Sequence, residues 1–122
     1  MRRINFGDGK LNEISIRHLL ESIQTNWVSQ GSKVNELEKK WGELFGYKHN
    51  IAVSNGTDAD IHACAVLYDL GAKRGDEIIA PALAFVAVGN SILAAGFKPV
   101  FVDVEKHTLN INPNLIEEKI TP

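Results

Sequence analysis

Apolar residues recur at Leu11, Ile14, Ile16, Leu19, Leu20 and Ile23, close to the 3.6-residue repeat of one helical face, and predict a first helix over residues 11–23. After the turn-like Val28-Ser29-Gln30-Gly31, the spacing returns at Val34, Leu37, Trp41, Leu44 and Phe45, with Lys33, Glu36, Glu38, Lys39 and Lys40 largely between them. This predicts an amphipathic second helix ending near Gly46. Its Trp41, Leu44 and Phe45 stripe is expected to form a core or an interface, a core first.

The pattern changes at residue 50. Asn50-Ile51-Ala52-Val53-Ser54 is a short apolar run that stops at the turn signal Asn55-Gly56 and predicts a strand. Residues 57–70, rich in Ala, Ile, Val and Leu, predict a helix closed by Gly71. A turn at Gly75-Asp76 leads to a strand over Glu77–Ala80, halted by Pro81. A helix over residues 85–95, a strand over Pro99–Val104, and a short helix from Asn112-Pro113 to Ile120 complete the series. Alternation of this kind predicts an α/β fold, a mostly parallel sheet with helical crossovers.

Composition narrows the function classes. A chain of 122 residues, 44% hydrophobic and with a formal net charge of -2, can form one ordinary globular core. It has no basic cluster, so nucleic acid and anionic membranes are not expected as partners. No apolar stretch is long enough to span a bilayer, and Met1-Arg2-Arg3 is followed by Ile4-Asn5-Phe6-Gly7-Asp8-Gly9 rather than by the apolar run of a signal peptide. The single cysteine, Cys64, permits no intrachain disulfide, which makes the cytoplasm the expected setting. Cys64 lies in Ala63-Cys64-Ala65-Val66 and reads as a small buried hydrophobe. His18, His49, His62 and His107 show no metal-ligand spacing with it, and no metal site is expected.

The segment with chemical promise is Ser54-Asn55-Gly56-Thr57-Asp58-Ala59. It joins a buried-looking strand to the first turn of a helix, where unpaired backbone N–H groups and the helix dipole favour an anion such as phosphate. Gly56 would admit close approach, Thr57 could add a hydroxyl, and Asp58 would structure the turn rather than face an anion. The same residues would also serve as a plain helix start capped by Ser54 or Thr57, with no ligand at all. Neither the dinucleotide fingerprint nor the Gly-Lys phosphate loop is present.

Taken together and in order, Asn26-Trp27-Val28-Ser29-Gln30-Gly31, Ser54–Ala59, Gly75-Asp76-Glu77-Ile78-Ile79-Ala80-Pro81, Ala84-Phe85-Val86-Ala87 and Pro99-Val100-Phe101-Val102-Asp103-Val104 strongly resemble the DegT/DnrJ/EryC1/StrS family of aminotransferases, over nearly the whole chain. The resemblance implies the early part of an aspartate aminotransferase-like (type I) large domain that binds pyridoxal 5'-phosphate. Residues 1–31 would supply an N-terminal helix and active-site loop, and residues 32–122 a helix followed by a βαβαβ region. Gly56 and Thr57 would hold the cofactor phosphate, Phe85 would stack on its pyridine ring, and Ser29 would lie on the substrate side.

By the same resemblance, the substrates would be a nucleotide-linked keto sugar and an amino-acid donor, glutamate, and the full-length protein would be a homodimer. The cofactor-bearing lysine and the acidic partner of the pyridine nitrogen would lie beyond Pro122, so the 122 residues alone would hold no catalytic residue and be inactive. Lys73, Lys98, Lys106 and Asp103 do not match those roles. Ala84 stands where relatives commonly carry Thr, which removes a hydroxyl near the cofactor. A sugar dehydratase of the same family, a non-catalytic remnant or interaction module, and an unrelated nucleotide-binding α/β domain remain alternatives.

Overall fold

The computed structural model describes Gly7 and residues 9–121. The chain divides into two compact units, Met1–Ala52 and Val53–Pro122.

Among its described residues, the first unit holds two helices. Helix α1, Glu13–Gln24, starts where Asn12 accepts the Ser15 N–H at 2.9 Å through its side-chain oxygen, which satisfies one of the helix's unpaired first-turn donors. Helix α2, Ser32–Phe45, begins at Gly31 and ends at Gly46, whose φ of 76° is the left-handed closure that glycine favours. Lys33 on α2 ties back to α1 through Glu21 at 2.8 Å and His18 at 3.0 Å. That ammonium, through its hydrogen bond and then its charge, holds the Glu21 carboxyl below the usual carboxylate range. Both helices start or stop within two residues of the prediction. Their apolar stripes, however, are not a core: among the described residues of this unit none is buried, and Trp41, Leu44 and Phe45 are all exposed. Trp41 and Phe45 instead contact each other, ring centroids 4.5 Å apart and tilted by 45°.

The second unit opens with helix α3, Gly56–Ala65, which tightens into a 3-10 turn at Val66–Tyr68 and closes at Gly71 with φ 98°. Strand β1, Glu77–Pro81, then pairs in parallel with strand β2, Lys98–Val102, from Glu77↔Lys98 to Pro81↔Val102. The two are joined by helix α4, Ala87–Ala94, so the predicted parallel crossover is present. Ala80 from β1, Ile92 from α4 and Phe97 from the approach to β2 form the core, with Cys64, Leu67, Ile78 and Val88 packed around it. Phe97 also stacks on Tyr68, ring centroids 4.7 Å apart, while the Tyr68 hydroxyl donates to the Ala95 carbonyl at 2.8 Å.

Three predictions need correction. Residues 50–54 form no strand: the described ladders leave them without a partner, and Ile51 is 85% exposed. A strand is stable only when a neighbour takes up its N–H and C=O groups, and β1 and β2 use their facing edges on each other. The strand expected over Pro99–Val104 ends at Val102, after which Val104 makes only an isolated antiparallel bridge to Ile111. The final helix is broken into 3-10 turns at Pro113–Leu115 and Glu117–Lys119, since so short an apolar face offers little packing to offset the cost of helix nucleation.

Candidate functional site

The start of α3 is organised by its own side chains. Asn55 is the cap, its Oδ1 accepting the Asp58 N–H at 2.9 Å; neither Ser54 nor Thr57 plays that part. Asn ranks with Ser among capping residues, so Asn55 followed three residues later by Asp58 carried this signal in the sequence. The Asp58 carboxylate turns back onto the Ser54 hydroxyl, with the Asn55 amide donating to it at 3.2 Å. It therefore structures the turn, as expected.

What this leaves at the helix end is a pair of unclaimed donors. No described hydrogen bond uses the backbone N–H of Gly56 or of Thr57. Gly56 is exposed, and a Cβ placed on it would meet nothing within 4 Å. Open space next to unpaired N–H groups at the positive end of a helix is chemically suited to a phosphate. The residues present fit that group.

Thr57 is also anchored from behind. The Ser91 hydroxyl, on α4 and with 0% of the residue exposed, donates to the Thr57 carbonyl at 3.2 Å. Sequence reasoning passed over Ser91; the available hint was a lone hydroxyl, next to Asn90, inside the largely apolar stretch Val88–Ala95.

Phe85 lies just ahead of α4, its carbonyl accepting the Val88 N–H at 3.0 Å. The residue is 73% exposed and lines a groove of about 320 Å³ with Ala84, Gly89, Leu93 and Phe101. Gly89 permits the close approach of the Phe101 ring in this groove, because a Cβ there would come within 3.1 Å of it. Gly56 and Thr57 do not line the same groove. They are linked to the Phe85 segment through Ser91 and α4.

Ser29 belongs to the first unit, where it is exposed and lines a cavity of about 350 Å³ with Glu21, Thr25, Trp27 and Lys33. The loop that carries it is held by the Trp27 indole N–H, which donates to the Gln30 carbonyl at 2.8 Å. Gly31 makes room for that ring: a Cβ there would overlap the indole.

Other groups offer less chemistry. Burial, and secondarily the charge of Asp60, raises the Cys64 thiol above its ordinary value, which suppresses the reactive thiolate. Among the described residues no cluster of His, Cys, Asp and Glu could hold a metal ion, and no helix is long and apolar enough to cross a membrane.

Comparison with known proteins places this arrangement. The structure superimposes with a TM-score of 0.84 on Escherichia coli GDP-4-keto-6-deoxy-D-mannose-3-dehydratase with bound hydrated PLP, at 26% identity over 98% of this chain and 32% of that one. With NtdA from Bacillus subtilis, solved with bound cofactor PMP, the TM-score is 0.77 at 37% identity over 88% of this chain and 24% of that one. The fold is therefore α/β, part of the large domain of type I PLP-dependent transferases. The family assignment follows from the sequence itself: residues 10–122 match the DegT/DnrJ/EryC1/StrS aminotransferase family, and the chain belongs to it. It is also 37% identical over 107 residues to the spore coat polysaccharide biosynthesis protein SpsC of Bacillus subtilis strain 168, covering 88% of this chain and 27% of SpsC. The chain thus spans about a quarter to a third of the length of these relatives.

Proposed function

We propose that this chain is the opening part of the large domain of a sugar aminotransferase that binds pyridoxal 5'-phosphate and passes an amino group from glutamate to a keto carbon of a nucleotide-linked sugar. The observation that carries the reading is the start of α3, where the N–H groups of Gly56 and Thr57 are unclaimed and the space over Gly56 is open. Those N–H groups and the Thr57 hydroxyl hold the cofactor phosphate. Phe85 presents a flat apolar face to the pyridine ring, keeping water from that side. Ser29, on a loop closed by Trp27, donates or accepts a hydrogen bond on the substrate side. When bound, the cofactor supplies an electron sink for moving a proton between carbons. The residues of this chain bind and orient it, and the lysine that does the covalent work lies outside the 122 residues, which on their own are inactive.

A dehydratase acting on the same class of sugar is the second reading, because the chain superimposes equally well, at a TM-score of 0.84, on an enzyme of that activity and on a putative sugar aminotransferase from Streptococcus pneumoniae. Borohydride reduction of the protein in extracts of its source cells, followed by intact mass, tests the main reading. A mass above 13.4 kDa that includes a phosphopyridoxyl adduct on lysine is expected. A chain that stays unmodified even when saturated with pyridoxal 5'-phosphate before reduction would remove the proposed lysine, and non-covalent retention of the cofactor by that unmodified chain would point to the dehydratase.

A further inference from the structure

We propose that Ser91 is a positioning residue for the phosphate-binding turn: from α4 it fixes the peptide group between Thr57 and Asp58, and so aims the N–H groups of Gly56 and Thr57. The inference rests on the phosphate-cradle reading above and assigns it a device beyond the residues that touch the anion.

That peptide group is gripped at both ends. Its carbonyl, on Thr57, accepts the Ser91 hydroxyl at 3.2 Å, and its N–H, on Asp58, donates to Asn55 Oδ1 at 2.9 Å. A peptide is planar, so fixing both ends fixes its tilt and that of the turn it belongs to. Each bond also polarises the other through the shared amide, which strengthens the pair. Ser91 is fully buried, and no buried side-chain polar atom among the described residues lacks a partner.

A serine inside a helix commonly bonds back to a carbonyl of its own preceding turn. Ser91 spans 34 positions to another helix instead. Phe85 is tied to the same α4 through its carbonyl and the Val88 N–H, so one helix carries the ring-facing residue at its start and the anchor of the phosphate turn within it.

The test compares wild type, Ser91→Ala and Ser91→Cys for binding of pyridoxamine 5'-phosphate and of pyridoxamine by equilibrium dialysis, with amide exchange of residues 55–60 read alongside. Neither probe forms an imine with surface lysines. In Ser91→Ala the phosphorylated probe is expected to bind about fivefold more weakly, the effect of one lost hydrogen bond, with binding of pyridoxamine unchanged and faster exchange confined to the first turn of α3. If Ser91→Ala fails to fold, Ser91→Cys refills the volume with a weaker donor and is read the same way. A variant that keeps the wild-type ratio between the probes, or loses both equally, overturns the proposal. A wild type with no preference for the phosphorylated probe overturns the phosphate-cradle reading itself, and this proposal with it.

Discussion

In Val53–Pro122, Ala80, Ile92 and Phe97 are at most 4% exposed, whereas in Met1–Ala52 no described residue is buried and Leu44 is 76% exposed. Both units open on a helix capped by an asparagine side chain, Asn12 for α1 and Asn55 for α3, and both contain a helix with apolar residues on one face. The difference lies in what the faces meet. In the second unit, α4 crosses over a parallel strand pair and its buried face closes on that pair and on α3. In the first, α1 and α2 are joined by the His18, Glu21 and Lys33 cluster, and surface charges of that kind add little to stability. Capping and periodicity make a helix; only a partner surface makes a core.

Phe97→Ala should have the largest effect. Emptying a core site costs about 3–5 kcal/mol, while Leu44→Ala, on the exposed stripe, should change stability by less than about 0.5 kcal/mol. Urea unfolding followed by far-ultraviolet circular dichroism compares the two, and equal losses would break the contrast between the units. Asn55→Ala removes the cap of α3 and should cost about 1 kcal/mol, read as lost amide protection in α3 with α1 and α2 unaffected.

Glu77 sharpens the comparison through pH. The Lys98 ammonium, 2.6 Å from the carboxylate, and then the Thr121 hydroxyl hold this group below its ordinary value of 4.5. Its contribution to the strand pair is therefore complete above that ordinary value and is lost as pH falls through the lower folded one. The melting temperature of wild type should accordingly drop more steeply than that of Glu77→Gln once the pH is below about 4.5. Parallel pH curves would remove the role of this pair.

The smallest effect on stability is expected from Gly31→Ala, which should displace the exposed Trp27 indole and release its bond to Gln30. The chain has two tryptophans, Trp27 and Trp41, both in Met1–Ala52. Tryptophan emission therefore reports on the first unit alone and should shift to the red, while the circular-dichroism melt moves by less than about 0.5 kcal/mol.

Much of this fold was legible in the sequence. The helices over 13–24 and 32–45, the glycine closures at Gly46 and Gly71, and the parallel strand, helix, strand unit all follow from local spacing and turn chemistry. The errors concern non-local matters. The apolar run Asn50–Ser54 has strand composition, but composition cannot supply a hydrogen-bonding neighbour, and the Trp41 stripe has core spacing without a surface over it. In the candidate site, the helix start at Gly56 and Thr57 was readable because helix starts obey local rules. The anchor at Ser91 was not, since it depends on how α4 lies against α3.

Cys64 gives the second unit a chemical clock. As the chain's single thiol, partly buried against the Ala80, Ile92 and Phe97 cluster and shifted by that burial toward its protonated form, it should be alkylated faster whenever α3 lifts from that cluster. The rate of labelling with a neutral thiol reagent would then rise with openings of the very element that presents Gly56 and Thr57, and any anion that seats there and steadies α3 would be registered as a slower clock.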